Sequence, residues 1–201
     1  LPGRIALFWE GRDGASATYT FSDLQDKAAR FANFLLAQGV QKGDKVAGLL
    51  PRNIELLITV FATWRIGAVY QPLFTAFGPK AIEHRLSCSG AKVVVTDATN
   101  RPKLAEVPDC PSIVTVTGPK GQGLMRGDSS FWAELANYSS DCEPVLLTGE
   151  DPFLLMFTSG TTGPSKALPV PLKAIVAFQS YIRDAVDLRP EDAFWNVADP
   201  G

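Results

Sequence analysis

The stretch Phe153–Lys166 reads FLLMF followed by TSGTTGPSK, so an apolar run passes directly into a polar loop. The apolar run Phe153–Phe157 predicts a strand that is buried on both faces. The loop Thr158–Lys166 contains five hydroxyl side chains, two glycines and one lysine. Flexible backbone amides, hydroxyls and an ammonium group at a strand end can together bind an anion. We therefore predict that this loop binds phosphate groups and that the preceding chain is its scaffold.

Seven residues of the loop are candidates for phosphate contacts. They are Thr158, Ser159, Gly160, Thr161, Thr162, Gly163 and Lys166. A Walker A loop, G-x-x-x-x-G-K-S/T, does not fit, because Ser165 precedes the lysine and Ala167 follows it. Pro169 and Pro171 also hold the next residues extended, so no helix N-terminus would face the phosphates. The remaining alternative is a polar turn between two strands that binds no ligand.

Outside this stretch, predicted strands alternate with predicted helices. The predicted strands are residues 4–9, 17–21, 46–50, 68–72, 92–96, 112–117 and 193–197, and the predicted helices are residues 22–38, 54–66, 79–89, 100–105, 129–138 and 172–186. Residues 167–171 are predicted to be extended. The alternation predicts an α/β fold with a mostly parallel sheet flanked by helices. In such sheets ligands bind beyond the carboxyl ends of the strands, which is where the phosphate loop lies.

Local signals predict the ends of several elements. Asp13-Gly14 is typical of a hairpin turn between the first two strands. Ser22 and Gln25 predict a capping box at the start of the first helix, and Gly39 predicts its end. The glycine-rich segment Gly118–Asp128 indicates a surface loop.

The composition is that of a globular protein. The chain has 201 residues, of which 46% are hydrophobic and 20% charged, and its net charge is −2. This charge gives no electrostatic reason to expect binding to nucleic acid or to an anionic membrane. No apolar run approaches the roughly 18–20 residues of a membrane helix, and the segment after Leu1 does not resemble a signal peptide. We expect no nucleic-acid partner and no membrane span.

The cysteines, Cys88, Cys110 and Cys142, have no metal-binding or redox spacing. We predict three free thiols in a reducing compartment, the cytoplasm, and no metal site. His84 falls in a predicted helix, where we expect a solvated or partly packed side chain rather than a catalytic one.

The loop Thr158–Lys166 resembles the phosphate-loop signature of the AMP-forming adenylate enzymes. This superfamily contains acyl-CoA synthetases, peptide-synthetase adenylation domains and beetle luciferases. Further segments resemble the family in the same order, at residues 6–10, 19–24, 39–46, 65–68 and 90–96. Phe74–Pro79 and Phe194–Gly201 are most similar to acetyl-CoA synthetases. The chain departs from the family at Ser165-Lys166-Ala167, where Pro-Lys-Gly is usual.

The resemblance implies an ATP-dependent acid–thiol ligase that activates a short- to medium-chain carboxylic acid through an acyl-AMP intermediate. Its substrates would be a small carboxylic acid, ATP with Mg²⁺, and CoA, and the loop would grip the β- and γ-phosphates of ATP. For CoA, the resemblance points to Phe74, Gly78, Arg101 and Lys103. The alternative is a solvated basic turn at the last two residues, with Phe74 and Phe77 in the core.

The resemblance also implies that residues 1–201 are the N-terminal portion of an AMP-binding domain. The acyl and adenine pockets and the C-terminal domain would follow Gly201. We therefore expect no catalytic residue within these residues and no activity from them alone, and self-association would follow from uncovered apolar surface. Two alternative functions remain: a peptide-synthetase adenylation domain that loads a carrier protein, and a non-catalytic nucleotide-binding module.

Overall fold

The computed structural model describes residues 3–11, 13–158 and 165–195. The strands are β1 (Ile5–Glu10), β2 (Ser16–Thr20), β3 (Lys45–Leu49), β4 (Val69–Pro72), β5 (Val93–Asp97), β6 (Ser112–Val116), β7 (Ser129–Ser130), β8 (Pro152–Thr158) and β9 (Lys166–Pro171). The helices are α1 (Phe21–Ala37), α2 (Ile54–Arg65), α3 (Pro79–Ser89), α4 (Arg101–Leu104), α5 (Phe131–Asn137) and α6 (Ala174–Tyr181). Helix α6 continues into a π-helical turn, Ile182–Val186, and a 3-10 turn spans Pro119–Gly121.

The central sheet has seven strands in the order β7-β6-β5-β3-β4-β8-β9. Neighbouring strands from β7 to β8 are parallel, and β9 pairs antiparallel with β8. The predicted α/β fold with a mostly parallel sheet flanked by helices is confirmed. Strands β1 and β2 form a separate antiparallel hairpin. Gly14 in its turn has a φ of +80°, as the Asp13-Gly14 pair predicts.

Side chains of the central strands alternate between two apolar cores, one on each face of the sheet. Val46 and Val95 belong to the core that also contains residues of α1, α2 and α5. Ala47 and Val94 belong to the second core, which contains residues of α3 and α4. Because β3 and β5 are covered on both faces, they consist of continuous apolar runs rather than alternating patterns.

The start of α1 differs from its prediction. Thr20, not Ser22, is the N-cap, since its Oγ1 accepts a hydrogen bond from the Asp23 amide at 3.1 Å. The Thr20 amide donates in return to the Asp23 carboxylate at 2.8 Å. Thr20 ends β2 in an extended conformation, so the N-cap lies two residues earlier than the sequence suggested. At the other end, Gly39 follows the C-cap with a φ of +79°, as predicted.

The remaining differences between the predicted and the observed elements lie at the edges of the sheet and near the last described residues. Ser129–Ser130, predicted to begin a helix, pairs with β6 as strand β7, and the helix begins at Phe131. Strand β8 is not buried on both faces, because Phe153 and Leu155 are buried whereas Met156 is 38% exposed. Residues 193–195 form no strand, and the last two residues of the predicted strand 193–197 lie outside the described residues.

Candidate functional site

The two ends of the predicted phosphate loop lie side by side at the carboxyl end of β8. Thr158 ends β8, Lys166 begins β9, and these residues are Cα partners in the antiparallel ladder. Both are exposed. We call Phe157–Thr158 and Ser165–Lys166 the two stems of the loop. The other five phosphate candidates, Ser159, Gly160, Thr161, Thr162 and Gly163, lie outside the described residues.

Helix α3 lies against both stems. The His84 Nε2 atom is 3.0 Å from the carbonyl oxygen of Ser165. The His84 ring also lies edge-to-face with the Phe157 ring, with the ring centroids 6.4 Å apart. The Arg85 guanidinium lies 5.5 Å from the centroid of the same Phe157 ring. Two consecutive residues of α3 thus contact the stem before the loop, and one of them also contacts the stem after it.

Arg85 also reaches the aromatic loop, Phe74–Gly78. Its guanidinium lies 4.0 Å from the centroid of the Phe77 ring, at a distance typical of a cation–π contact. Burial lowers the pKa of Arg85 from its ordinary value. The guanidinium therefore stands between an aromatic ring of the predicted CoA loop and one next to the predicted phosphate loop. Arg85 could not be identified from the sequence, because nothing in its helical spacing marks it.

Lys103 fixes the aromatic loop from α4. Its Nζ donates to the carbonyl oxygen of Thr75 and, at 3.0 Å, to Asn100 Oδ1. Phe74 and Phe77 are half-buried and pack edge-to-face, with centroids 5.5 Å apart. Gly78 is exposed at the N-cap of α3. The structure thus brings together three of the four residues predicted to contact CoA, and whether they do so stays a prediction.

Arg101 is buried rather than part of a solvated basic turn. Its Nε and Nη2 donate to the two carboxylate oxygens of Asp128 at 2.7 and 2.8 Å, and the two side chains are 7% and 2% exposed. The solvated-turn alternative is therefore wrong for Arg101, because a partner distant in sequence draws it inward. Its buried Nη1 has no hydrogen-bond partner among the described residues. The predicted contact between Arg101 and CoA stays a prediction.

The Asp128 carboxylate is held in its charged form. Burial by itself would raise its pKa, but hydrogen bonds from Arg101, Thr115 and the Met125 amide hold that pKa below its usual range. The Thr115 hydroxyl donates at 2.8 Å. The ion pair thus anchors the end of the glycine-rich segment, which the sequence predicted as a surface loop, to β6 and α4.

A second buried carboxyl belongs to Glu55 in the first turn of α2. It is 8% exposed, and its Oε1 accepts a hydrogen bond from the Trp132 indole at 2.8 Å. Burial raises the pKa of Glu55, and hydrogen bonds from its own backbone amide and from Trp132 offset this rise only in part. The burial of Glu55 could not be predicted from the sequence, since glutamate side chains are mostly exposed.

The three cysteines are free thiols, as predicted. Cys88 is exposed, and its Sγ lies 3.6 Å from the Nδ1 of His84. In the described part of the chain, no three His, Cys, Asp or Glu side chains come together in a way that could hold a metal ion. Within the same ranges, no helix is both long and apolar enough to cross a membrane.

Known proteins match this chain along its whole length. A family model described as "AMP-binding enzyme" matches residues 1–201. The acetyl-coenzyme A synthetase of Pseudoalteromonas translucida is 32% identical over 98% of this chain and 33% of its own length. That of Syntrophobacter fumaroxidans is 31% identical over the same shares. The chain therefore spans about a third of the length of the curated relatives it matches.

Solved structures share the fold. The crystal structure of Brucella canis acyl-CoA synthetase is 54% identical, with a TM-score of 0.94 over 99% of this chain and 36% of its own. ATP-bound MatB from Rhodopseudomonas palustris is 28% identical, with a TM-score of 0.77 over 95% of this chain and 36% of its own.

Proposed function

Because the chain belongs to the AMP-binding enzyme family, we propose that the protein containing it is an ATP-dependent acyl-CoA synthetase. It activates a short- to medium-chain carboxylic acid through an acyl-AMP intermediate. One observation carries the proposal: β8 and β9 hold the two ends of the TSGTTGPSK loop together at the carboxyl end of β8. The similarity to acetyl-CoA and acyl-CoA synthetases over nearly the whole chain supports the same activity.

In the first step, a carboxylate oxygen attacks the α-phosphorus of ATP, and the bond to the β-phosphate oxygen breaks. The departing pyrophosphate gains negative charge, so donors that are already in place stabilise the transition state. Thr158 and Lys166 stand on adjacent strands at the two ends of the loop. We assign the binding of the β- and γ-phosphates to these two residues together with Ser159, Gly160, Thr161, Thr162 and Gly163.

In the second step, the CoA sulfur attacks the acyl carbon of acyl-AMP and AMP leaves. We assign Phe74, Gly78, Lys103 and Arg101 to the CoA site. The aromatic loop is held from α4 by Lys103, and the buried Nη1 of Arg101 has no hydrogen-bond partner within the described part of the chain.

ATP would enter with Mg²⁺, which in nucleotide sites is commonly bound through phosphates and one or two carboxylates. Among the described residues, no group of three His, Cys, Asp or Glu side chains is placed to hold a metal ion. No step above depends on this ion.

We further propose that residues 1–201 form the N-terminal portion of an AMP-binding domain and are inactive alone. The chain spans about a third of its curated relatives, and it contributes the phosphate loop and the aromatic loop. The acyl and adenine pockets would come from further sequence. A cytoplasmic location agrees with the three free thiols.

The test is ATP–pyrophosphate exchange by the longer protein that carries these residues, with straight-chain acids from acetate to octanoate. We expect exchange with the shorter acids and thioester formation when CoA is added. Lys166→Ala should lower exchange by about 10- to 100-fold, since charged hydrogen bonds contribute about 1.5–3 kcal/mol. Lys173→Ala is the matched control, because this exposed lysine pairs with Glu150 outside the loop.

Each other outcome has a clear meaning. Exchange with amino acids, followed by transfer to a carrier protein, would identify a peptide-synthetase adenylation domain instead. Nucleotide binding without exchange for any acid would identify a non-catalytic nucleotide-binding module. Exchange that is unchanged by Lys166→Ala would leave the loop a structural turn.

A further inference from the structure

Helix α3 supports the phosphate loop through His84. We propose that His84 is a positioning residue for adenylation, which fixes the backbone at Ser165 and thereby the place of Lys166. The inference rests on the proposed function, because it concerns the same loop. His84 itself lies outside the seven candidate phosphate ligands, and it acts on Lys166 through the backbone at Ser165.

The geometry determines how the His84 ring is bonded. The Ser165 carbonyl oxygen, 3.0 Å from Nε2, can only accept a hydrogen bond. Nε2 must therefore carry the hydrogen and donate it. In the neutral ring, Nδ1 is then an acceptor, and the thiol of Cys88, a weak donor, lies 3.6 Å away. The Ser165 bond therefore sets the orientation of the ring, and the weak Cys88 contact adds little to it.

Helix α3 is a firm support for this contact. Its Ile82 and Leu86 are buried in the core against the sheet. Pro79 begins the helix, and Gly90 ends it in a left-handed conformation with a φ of +61°. His84 lies between these anchors, half-buried. The hydrogen bond therefore ties Ser165 to the packed part of the domain.

Ser165, the residue bonded to His84, lies just outside the paired part of the sheet. The last register pair of β8 and β9 joins Thr158 to Lys166, and Ser165 lies one residue beyond it. The His84 bond holds that residue, while the His84 and Arg85 side chains contact Phe157 on the opposite stem. Helix α3 thus restrains both stems, and the backbone of Lys166 is held on both of its sides.

Restraint of the Lys166 backbone should help this lysine to stabilise the departing pyrophosphate. Its long side chain is flexible, so an error in the backbone position reduces the stabilisation of the transition state. The loss should affect adenylation, in which pyrophosphate leaves. It should spare the transfer of the acyl group from acyl-AMP to CoA, in which no pyrophosphate takes part.

The experiment compares three variants of the longer protein with the wild type. His84→Ala removes the donor, His84→Gln keeps an N–H group that can reach the carbonyl, and Cys88→Ala leaves the Ser165 bond in place. Each is assayed for ATP–pyrophosphate exchange and, separately, for thioester formation from synthetic acyl-AMP and CoA. Hydrogen exchange at the Lys166 amide is measured on the same proteins.

We expect His84→Ala to lower the rate of ATP–pyrophosphate exchange about five-fold, because one net hydrogen bond contributes about 1 kcal/mol. Thioester formation from acyl-AMP should be unchanged. His84→Gln should restore most of the loss, and Cys88→Ala should match the wild type. Equal losses in both reactions, or no loss with His84→Ala, would overturn the inference.

Failure of the proposed function gives a different result from failure of this inference. A wild type without pyrophosphate exchange contradicts the function. Hydrogen exchange then still decides on His84: faster exchange at Lys166 in His84→Ala, restored by His84→Gln, supports the anchor. Equal rates of hydrogen exchange at the Lys166 amide in all the proteins contradict the role of His84.

Discussion

Asp128 and Glu55 are both buried carboxyl residues, but their surroundings shift their pKa values in opposite directions. Asp128 meets the guanidinium of Arg101 and two further donors, and its pKa falls. Glu55 accepts hydrogen bonds from its own backbone amide and from the Trp132 indole, both uncharged donors, and its pKa still rises because burial dominates. The difference follows from the charge of the nearest donor, since only an opposite charge repays the cost of burying a carboxylate.

Asp128→Asn should strongly destabilise the chain. The substitution leaves the Arg101 guanidinium buried without its counter-charge, which typically costs about 3–5 kcal/mol. Asp26→Asn is the control, because Asp26 forms a half-exposed i,i+4 pair with Arg30, and i,i+4 helix pairs contribute about 0.3–0.5 kcal/mol. Urea unfolding measures both. Equal midpoints for the two variants would show that the buried pair does not stabilise the fold.

Glu55→Gln should stabilise the chain at neutral pH. The raised pKa means that the folded chain binds the Glu55 proton more tightly than the unfolded chain does. Stability is therefore lost as pH rises from the ordinary pKa of 4.5 through the raised folded value. Glutamine keeps the acceptor for Trp132 without the charge. We expect a gain on the order of 1 kcal/mol at pH 7, or about 2–4 °C in Tm.

The pH dependence separates charge from packing as the cause. The gain from Glu55→Gln should vanish at pH 4, where the wild-type carboxyl is protonated. A gain of the same size at both pH values would mean that ionisation is not its source.

At the scale of elements, the start of α1 offers a direct test of its cap. Thr20→Ala removes the hydroxyl that accepts from the Asp23 amide, and N-cap losses of this kind cost about 1 kcal/mol. Ser22→Ala is the matched control, since Ser22 is an exposed residue of the first turn. Thermal unfolding should show a lower Tm for Thr20→Ala alone. A larger effect from Ser22→Ala would support the cap that the sequence suggested.

Element types were predictable where local chemistry and burial agreed. The apolar runs of β3 and β5, Pro79 at the start of α3 and Gly39 after α1 all marked their elements. The two-residue strand β7 could not be predicted, because Ser129 and Ser130 join the sheet only through pairing with β6. Proline likewise did not exclude β9, because an edge strand needs fewer backbone donors.

At the scale of the molecule, α6 and the residues after it carry much of the exposed apolar surface. The strongly exposed side chains there include Val176, Phe178, Tyr181, Phe194 and Trp195. Folded monomers rarely leave so many large apolar groups uncovered in one segment. This surface supports the proposal that residues 1–201 self-associate when they are prepared alone.

Sedimentation of residues 1–201 at several concentrations tests this proposal. We expect the mean mass to rise with concentration and Val176→Lys with Phe178→Lys to reduce that rise, because charge opposes burial of the α6 surface. Leu36→Lys, at an exposed apolar position on α1, is the control. A concentration-independent monomer mass would contradict self-association.

The sequence by itself determined the α/β class, the family resemblance and the place of the predicted phosphate loop after a strand. These depend on local patterns, namely apolar runs, turn residues and an unusual density of hydroxyls, which need no distant partner to be recognised. Only the tertiary structure decided that Arg101 is paired inside the domain, that Lys103 holds the aromatic loop, and that His84 forms a hydrogen bond with Ser165. The partners in these contacts are 27, 28 and 81 residues apart in the chain, and only the folding of the sheet and its helices brings them within hydrogen-bond distance.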